Sequence, residues 1–237
     1  MIYVGIDDTD VKGSPGTNQI VRSLIHALAG DYPCVVALRH QLLFDPRVPY
    51  TSKNSSASVL FESGGSVLVD ALAAELRRGL QERFVEGSDP GLCVTEQVPD
   101  EIRQFGRRCQ EEVVGQREAR RLASAHGIRL EGLGGTEDGV IGALAAVGLA
   151  AGGEDGRVVQ IAAWPDDLAG PQDVALLHAR GVAEVRCVAS GEVVSGGTVD
   201  VGKHLRPNYR GGRIVLFVAS LPEDEAEIAS WRALRFT

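Results

Sequence analysis

Lysine is almost missing from this chain: of 24 basic residues only Lys12, Lys53 and Lys203 are lysine, and arginine supplies the rest. Aromatic residues are scarce at 5%, so a core must be assembled mainly from Val, Leu, Ile and Ala. Positive charge is short overall. The net charge of −8 argues against holding nucleic acid by general electrostatics, because phosphate neutralisation needs a basic surface. Four cysteines (Cys34, Cys93, Cys109, Cys187) stand far apart with no C-x-x-C pair, which speaks against a zinc ribbon or a disulfide framework. The longest apolar stretch, around Val140–Ala151, is too short for a bilayer span and contains glycines. The chain opens on a strand-like run rather than a charged and apolar leader, so a reducing cytoplasm is the expected setting.

What is present begins at once. Residues 2–10, Ile-Tyr-Val-Gly-Ile-Asp-Asp-Thr-Asp, read as a buried strand ending in Asp7, Asp8 and Asp10. Carboxylates this close repel, and burying them is costly unless something neutralises them. Mg²⁺ is suited to the task, since it takes one or two carboxylates plus water and substrate phosphates. An isolated acidic turn would be a solvated turn. Here a Gly/Ser/Pro/Thr loop follows and then a helix from about Thr17, whose N-terminus offers unpaired N–H groups to an anion. Thr17 and Asn18 are both capable helix caps; the Thr17 hydroxyl is equally placed to accept a phosphoryl group or bind metal.

A coarse reading gives strands at 2–7, 34–44, 56–62 and 91–95, with helices at 17–29 and, from apolar residues at helical spacing, at 66–84. The βαββαβ order is that of a ferredoxin-like split unit. Beyond Pro99 come helices at 100–109 and 113–126, a strand at 128–130, a glycine loop at 132–139 and a helix at 140–150. A second α/β region follows: strands at 158–164, 183–189, 192–194, 198–201 and 213–218, a helix at 172–180, and a short docking helix at 231–236 after an acidic tail. No internal repeat is visible.

Several loops carry candidate chemistry. Pro49–Ser56, with Lys53, is dense in donors; Asp89-Pro90-Gly91 is a turn before a strand. Gly134, Gly135 and Gly139 belong to a loop resembling a phosphate-cradling strand–loop–helix, although the Walker ending is missing. Gly142 and the alanines after it suit close helix packing. Lys203, His204, Arg206 and Arg210 lie within nine positions and form the best anion- or substrate-binding candidate of the second half, a solvated basic turn being the alternative.

Together, the Asp-Asp-Thr-Asp strand end, the downstream threonine, the Pro-Tyr/Lys loop, the Asp-Pro-Gly turn and the Ile-Gly-Ala-Leu-Ala-Ala helix resemble the archaeal tRNA-isoleucine agmatidine synthetase family over residues 2 to about 150. The resemblance implies an α/β (α+β) chain. Its first part would be a ferredoxin-like, kinase-type domain (1–96) binding ATP and Mg²⁺, and a second ferredoxin-like domain (97–237) would bind an amine. It implies that Asp7, Asp8 and Asp10 hold Mg²⁺–ATP, with Lys12, Lys53, Asp89 and the glycine loop nearby. Thr17 would occupy the place of a phosphorylated threonine. The chemistry implied is phosphorylation of an amide-like carbonyl, then displacement of phosphate by an amine.

Two departures stand out. The family's Gly-Asn-Gly reads Asn54-Ser55-Ser56 here, and Asp138 stands where the family has an arginine. The chain has no room for the family's tRNA-gripping OB-fold and zinc-ribbon domains. The expectation is therefore an ATP-dependent ligase or phosphotransferase acting on a small molecule. Two alternatives remain: an RNA-modifying enzyme that needs a partner for RNA binding, and a non-catalytic nucleotide-binding protein.

Overall fold

The computed structural model describes residues 1–51, 53–64, 66–222 and 228–236. Ser52 of the donor-rich loop and residues 223–227 of the acidic tail lie outside the described residues. The first half contains β1 (Ile2–Asp7), α1 (Thr17–Leu28), β2 (Cys34–Gln41), β3 (Ser55–Phe61), α2 (Ser66–Gln81) and β4 (Gly91–Thr95). Next come α3 (Asp100–Glu111), α4 (Gln116–Ala125), β5 (Arg129–Gly132) and α5 (Gly139–Gly152). The remainder is β6 (Arg157–Ile161), β7 (Pro171–Asp173), α6 (Val174–Ala179), β8 (Glu184–Cys187), β9 (Thr198–Asp200), β10 (Asn208–Arg210), β11 (Arg213–Ser220) and β12 (Trp231–Ala233).

These strands form a mixed α/β structure around one twelve-stranded sheet of order β5-β4-β1-β3-β2-β6-β10-β11-β12-β9-β7, with β8 joining β11 in parallel. From β5 to β6 every pairing is antiparallel.

Strand alternation decides what each face receives. Ile2, Val4 and Ile6 turn to one side and are buried with Ile20, Val21, Leu24 and Ile25 of α1 and Leu72 and Leu76 of α2. Tyr3, Gly5 and Asp7 turn to the other side, where α5 lies across β1. That helix is apolar all round because it is covered all round: the sheet lies beneath it, and α3 and α4 lie above with Ile102, Phe105 and Ala119. Residues 97–152 thus cover the face of the N-terminal sheet that α1 and α2 leave open.

The helix comes unusually close to the sheet. A Cβ on Gly5 would sit 1.8 Å from the carbonyl oxygen of Ala143, and one on Gly91 would sit 2.1 Å from that of Gly139. Both obstacles are backbone, so neither can swing aside. Gly5→Ala is expected to destabilise the protein by about 3 kcal/mol, read from urea unfolding. A loss below about 1 kcal/mol would mean that α5 can retreat from β1.

The second half departs from the sequence reading in several places: residues 192–194 form only an isolated bridge from Val193 to Arg186, and Asn208–Arg210, read as part of a basic loop, is a strand. Residues 231–236 form no helix: Trp231–Ala233 is a strand, antiparallel to β11 and parallel to β9. Alternating exposure along Trp-Arg-Ala fits a strand filling a sheet edge better than one helical turn. The helix expected from Gln172 starts only at Val174, since Pro171–Asp173 pairs with β9.

Two polar clusters tie the layers together. His40 is fully buried, with Nε2 2.8 Å from Ser58 Oγ and Nδ1 2.6 Å from Asp155 Oδ1. Ser58 is equally buried, so this serine–histidine–aspartate row is a structural joint with no access for substrate. Asp166 receives both Arg206 Nη atoms at 2.8 and 2.7 Å and Arg22 Nη2 at 2.8 Å. Burial pushes the Asp166 carboxyl up, but the two guanidiniums outweigh it and hold the group at about 2. The four cysteines are free and buried, and no helix among the described residues is long and apolar enough to cross a membrane.

Candidate active site at the end of the first strand

Asp7 is the last residue of β1, opposite Gly91 of β4, and its carboxylate points to the start of α5. There Gly142 makes room: a Cβ on it would sit 1.7 Å from Asp7 Oδ2. Gly142, expected to serve helix packing, instead seats a carboxylate. Asp8 follows in a left-handed conformation, φ 51°, which a non-glycine residue adopts only at a cost. Its carbonyl accepts the Asp89 N–H at 3.1 Å, which fastens the strand end to the Asp-Pro-Gly turn.

Burial pushes the Asp7 carboxyl well above the usual carboxylate range, and the charges of Asp8 and Asp10 push it the same way. Asp8 is pushed up to about 6 by burial and then by Asp89, Asp10 and Asp138. Among the described residues no cation comes within ion-pair distance of Asp7, Asp8 or Asp10. These are carboxylates without counter-ions.

Thr17 opens α1 but does not cap it. Gly16 holds the N-cap position, where its N–H donates to Gln19 Oε1 at 3.2 Å. The buried Thr17 hydroxyl donates to Asp10 Oδ1 at 3.0 Å and accepts from Thr9 Oγ1 at 3.1 Å. Asn18 caps nothing either, and its buried Oδ1 has no partner. Both potential caps therefore face the site.

Two clefts flank the carboxylates. The first, about 220 Å³, runs from Asp7, Asp8 and Asp10 past Thr17 and Asn18 to Lys53, with Arg39 and Arg157 in its far wall. The second, about 260 Å³, lies on the α5 side between Leu42, Val48, Val114 and Ile141, with Glu112 and Asp138 in its lining. Asp7 and Asp8 belong to both.

The other expected site residues are placed unevenly. Lys53 lines the first cleft; exposed Lys12 lines neither. Asp89 abuts the site through Asp8, and its carboxylate accepts the N–H of Thr136. In the glycine loop, Leu133, Glu137 and Gly139 donate their N–H groups to Pro90, Gly134 and Asp89 carbonyls. A Cβ on Gly135 would sit 2.0 Å from Asp89 Oδ1. What the loop visibly cradles is Asp89. Lys203 is exposed and Arg206 is committed to Asp166, and neither lines either cleft.

Sequence reasoning passed over Arg39 and Arg157. The available signal was an arginine within the apolar run of β2, at a position whose neighbours by alternation, Ala37 and Gln41, share its face.

The donors fit Mg²⁺ and a nucleotide. No group of three His, Cys, Asp or Glu side chains among the described residues converges into an all-protein cage. Two hard carboxylate donors facing cations across a polar cleft suit an ion that keeps its waters and phosphate oxygens.

No protein-family model and no curated protein sequence matches the chain. Solved structures do. A tRNA fluorescent labeling enzyme superposes with a TM-score of 0.54 and 25% identity, over 62% of this chain and 35% of its own length. TiaS in complex with tRNA(Ile2) and ATP gives 0.55 and 24% over 62% of this chain and 36% of that one. Apo TiaS, described as the tRNAIle2 agmatidine synthetase, gives 0.54 and 24% over 62% and 35%. The likeness is one of fold, in keeping with the family that the motifs of residues 2–150 resemble. This chain spans about a third of the length of those proteins.

Proposed function

We infer that the chain is a Mg²⁺- and ATP-dependent ligase or phosphotransferase of the agmatidine-synthetase kind. The observation that carries this reading is the pairing, across one polar cleft, of counter-ion-free Asp7 and Asp8 with Lys53 and two arginines. The β4-β1-β3-β2 order within the first 96 residues supports a ferredoxin-like split unit as the nucleotide-binding part.

Asp7 and Asp8 would hold Mg²⁺, which when bound offsets the charge of the phosphates. Lys53 supplies a point charge to the same phosphates. Thr17 has the arrangement of an activated hydroxyl: Asp10 accepts its proton at 3.0 Å, and Thr9 fixes its orientation at 3.1 Å. That geometry suits a threonine that accepts a phosphoryl group. The protein's remaining task is positioning, which dominates phosphoryl-transfer catalysis.

The second cleft supports the amine reading. Its walls are largely apolar, and Asp7, Asp8, Glu112 and Asp138 give it acidic charge. Arg47, its cation, is already held by Asp45 at 2.8 Å. An aliphatic amine or guanidine fits such a lining, with α3, α4 and α5 providing the wall.

One observation favours an RNA acceptor instead. Phe44, 69% exposed, packs on Tyr50 at 4.9 Å between ring centroids, beside the first cleft. An exposed aromatic pair near a lysine is a stacking platform for a base.

Mg-ATP titration by calorimetry, followed by assay of phosphate release with and without amines, tests the main reading. Saturable binding and amine-stimulated release are expected. Absence of any nucleotide binding would sink it. Salt-sensitive retention of tRNA on a filter would shift the acceptor from small molecule to RNA.

A further inference from the structure

Arg39 is a buried cation and Arg157 a half-buried one, and among the described residues no carboxylate pairs with either. They are register partners on adjacent strands β2 and β6, on the face that carries Val159 and α1. Arg39 is 7% exposed, and its one described hydrogen bond goes to a neutral group, Gln41 Oε1 at 3.1 Å. Arg157 has a buried Nε without any partner. Among the described residues neither makes an ion pair, although 18 pairs occur there between other residues. Arg206 and Arg235 add further positive charge near Arg157. Of the carboxylates that could relieve it, Asp166 is committed to Arg206 and Arg22.

Adjacent guanidiniums, one buried and one half-buried with its Nε shielded from water, repel each other and lose hydration, which a fold tolerates where a ligand supplies the missing charge. Both line the cleft whose opposite wall carries Asp7 and Asp8. Two planar forks side by side match the oxygens of a phosphate, each able to donate in a bidentate manner.

We propose that Arg39 and Arg157 form a phosphate clamp, a site separate from the carboxylates that grips one phosphoryl group at the far wall of the cleft. The clamp lies in the cleft assigned to the nucleotide and deepens that reading. The phosphate is either the terminal group of the nucleotide or a phosphate carried by the acceptor.

The test uses pyrophosphate in EDTA, so that the carboxylates and metal play no part. Pyrophosphate is expected to raise the melting temperature of the full chain and of D8N. Arg39→Gln and Arg157→Gln are expected to weaken its binding at least tenfold, whereas the exposed Arg103→Gln leaves it unchanged. Without ligand, each glutamine variant is expected to melt no lower than the parent, since an uncompensated charge has been removed. A merely structural arginine would show the reverse: a lower melting temperature and an unaltered pyrophosphate response. Should a glutamine variant fail to fold, Arg39→Lys and Arg157→Lys keep the charge, lose the fork, and carry the same comparison.

Affinities for Mg-ATP and Mg-ADP then assign the phosphate. A loss confined to ATP places the nucleotide's terminal phosphate in the clamp. Unchanged nucleotide affinities with lost pyrophosphate binding place the acceptor's phosphate there. Equal pyrophosphate binding by parent and variants overturns the clamp and leaves the nucleotide reading standing. Arginine-dependent pyrophosphate binding with no nucleotide binding does the opposite.

Discussion

Asp8→Asn is expected to lower Mg-ATP turnover at least a hundredfold, measured as phosphate release at saturating nucleotide. Removing even a supporting partner of a bound metal typically costs 10- to 100-fold, and the role proposed for Asp8 is to touch the ion itself. The substitution preserves shape and removes only charge. Asp8 occupies a left-handed conformation that asparagine tolerates as well as aspartate, so the fold is expected to survive. The same experiment separates a catalyst from a nucleotide-holding relic. Asp138, at the start of α5, adds negative charge to Asp8 where the resembled family carries an arginine. If the chain binds nucleotide tightly, turns none over, and is indifferent to Asp8→Asn, the non-catalytic alternative is correct.

The second large effect is an unusual pH dependence of the metal-free protein. The Asp8 carboxyl has an ordinary value of 3.8 and lies at about 6 in the folded state, through burial and the charges of Asp89, Asp10 and Asp138. A folded-state value above the unfolded one means that the native protein holds the proton more tightly. Stability from this group is therefore complete below about pH 4 and is lost as pH climbs through about 6. Asp7 is raised as well, and for the same first reason, burial, which extends the loss upward. Asp166 works in the opposite sense: its contribution is present above about pH 4 and disappears only towards about 2.

In EDTA, stability should thus peak near pH 5 and fall towards pH 7.5. Partial solvent screening reduces the Asp8 share to about 1–2 kcal/mol. Mg²⁺ with ATP should restore it near neutrality by binding only the folded, ionised site. Asp8→Asn should flatten the slope, and Asp138→Asn should move its midpoint to lower pH. Chemical denaturation at the two pH values, with and without Mg-ATP, reads all of this. Stability that is flat or rising between them in EDTA would show that the carboxylates are not held against their charge.

Much of the architecture could be read directly from the residues because it is local. The short apolar run in 2–7, the strand-like stretch in 56–61, and helical spacing in 17–28 and 66–81 are properties of the chain that folding did not overrule. Trp231–Ala233 was misread for the opposite reason. Three residues have no periodicity to read, and their state depends on β9 and β11 offering a place. Arg206 illustrates the same limit in the site: this member of a basic cluster in sequence was spent on Asp166, forty residues away.

The sequence by itself determined that three carboxylates end the first strand and a threonine begins the first helix, because both follow from short-range pattern. Only the tertiary structure decided what faces them. Arg39 and Arg157 meet through strand register, and Gly142 admits Asp7 because α5 lies almost on the backbone of β1. Register and layer packing join residues more than a hundred positions apart, a relation that no local pattern encodes.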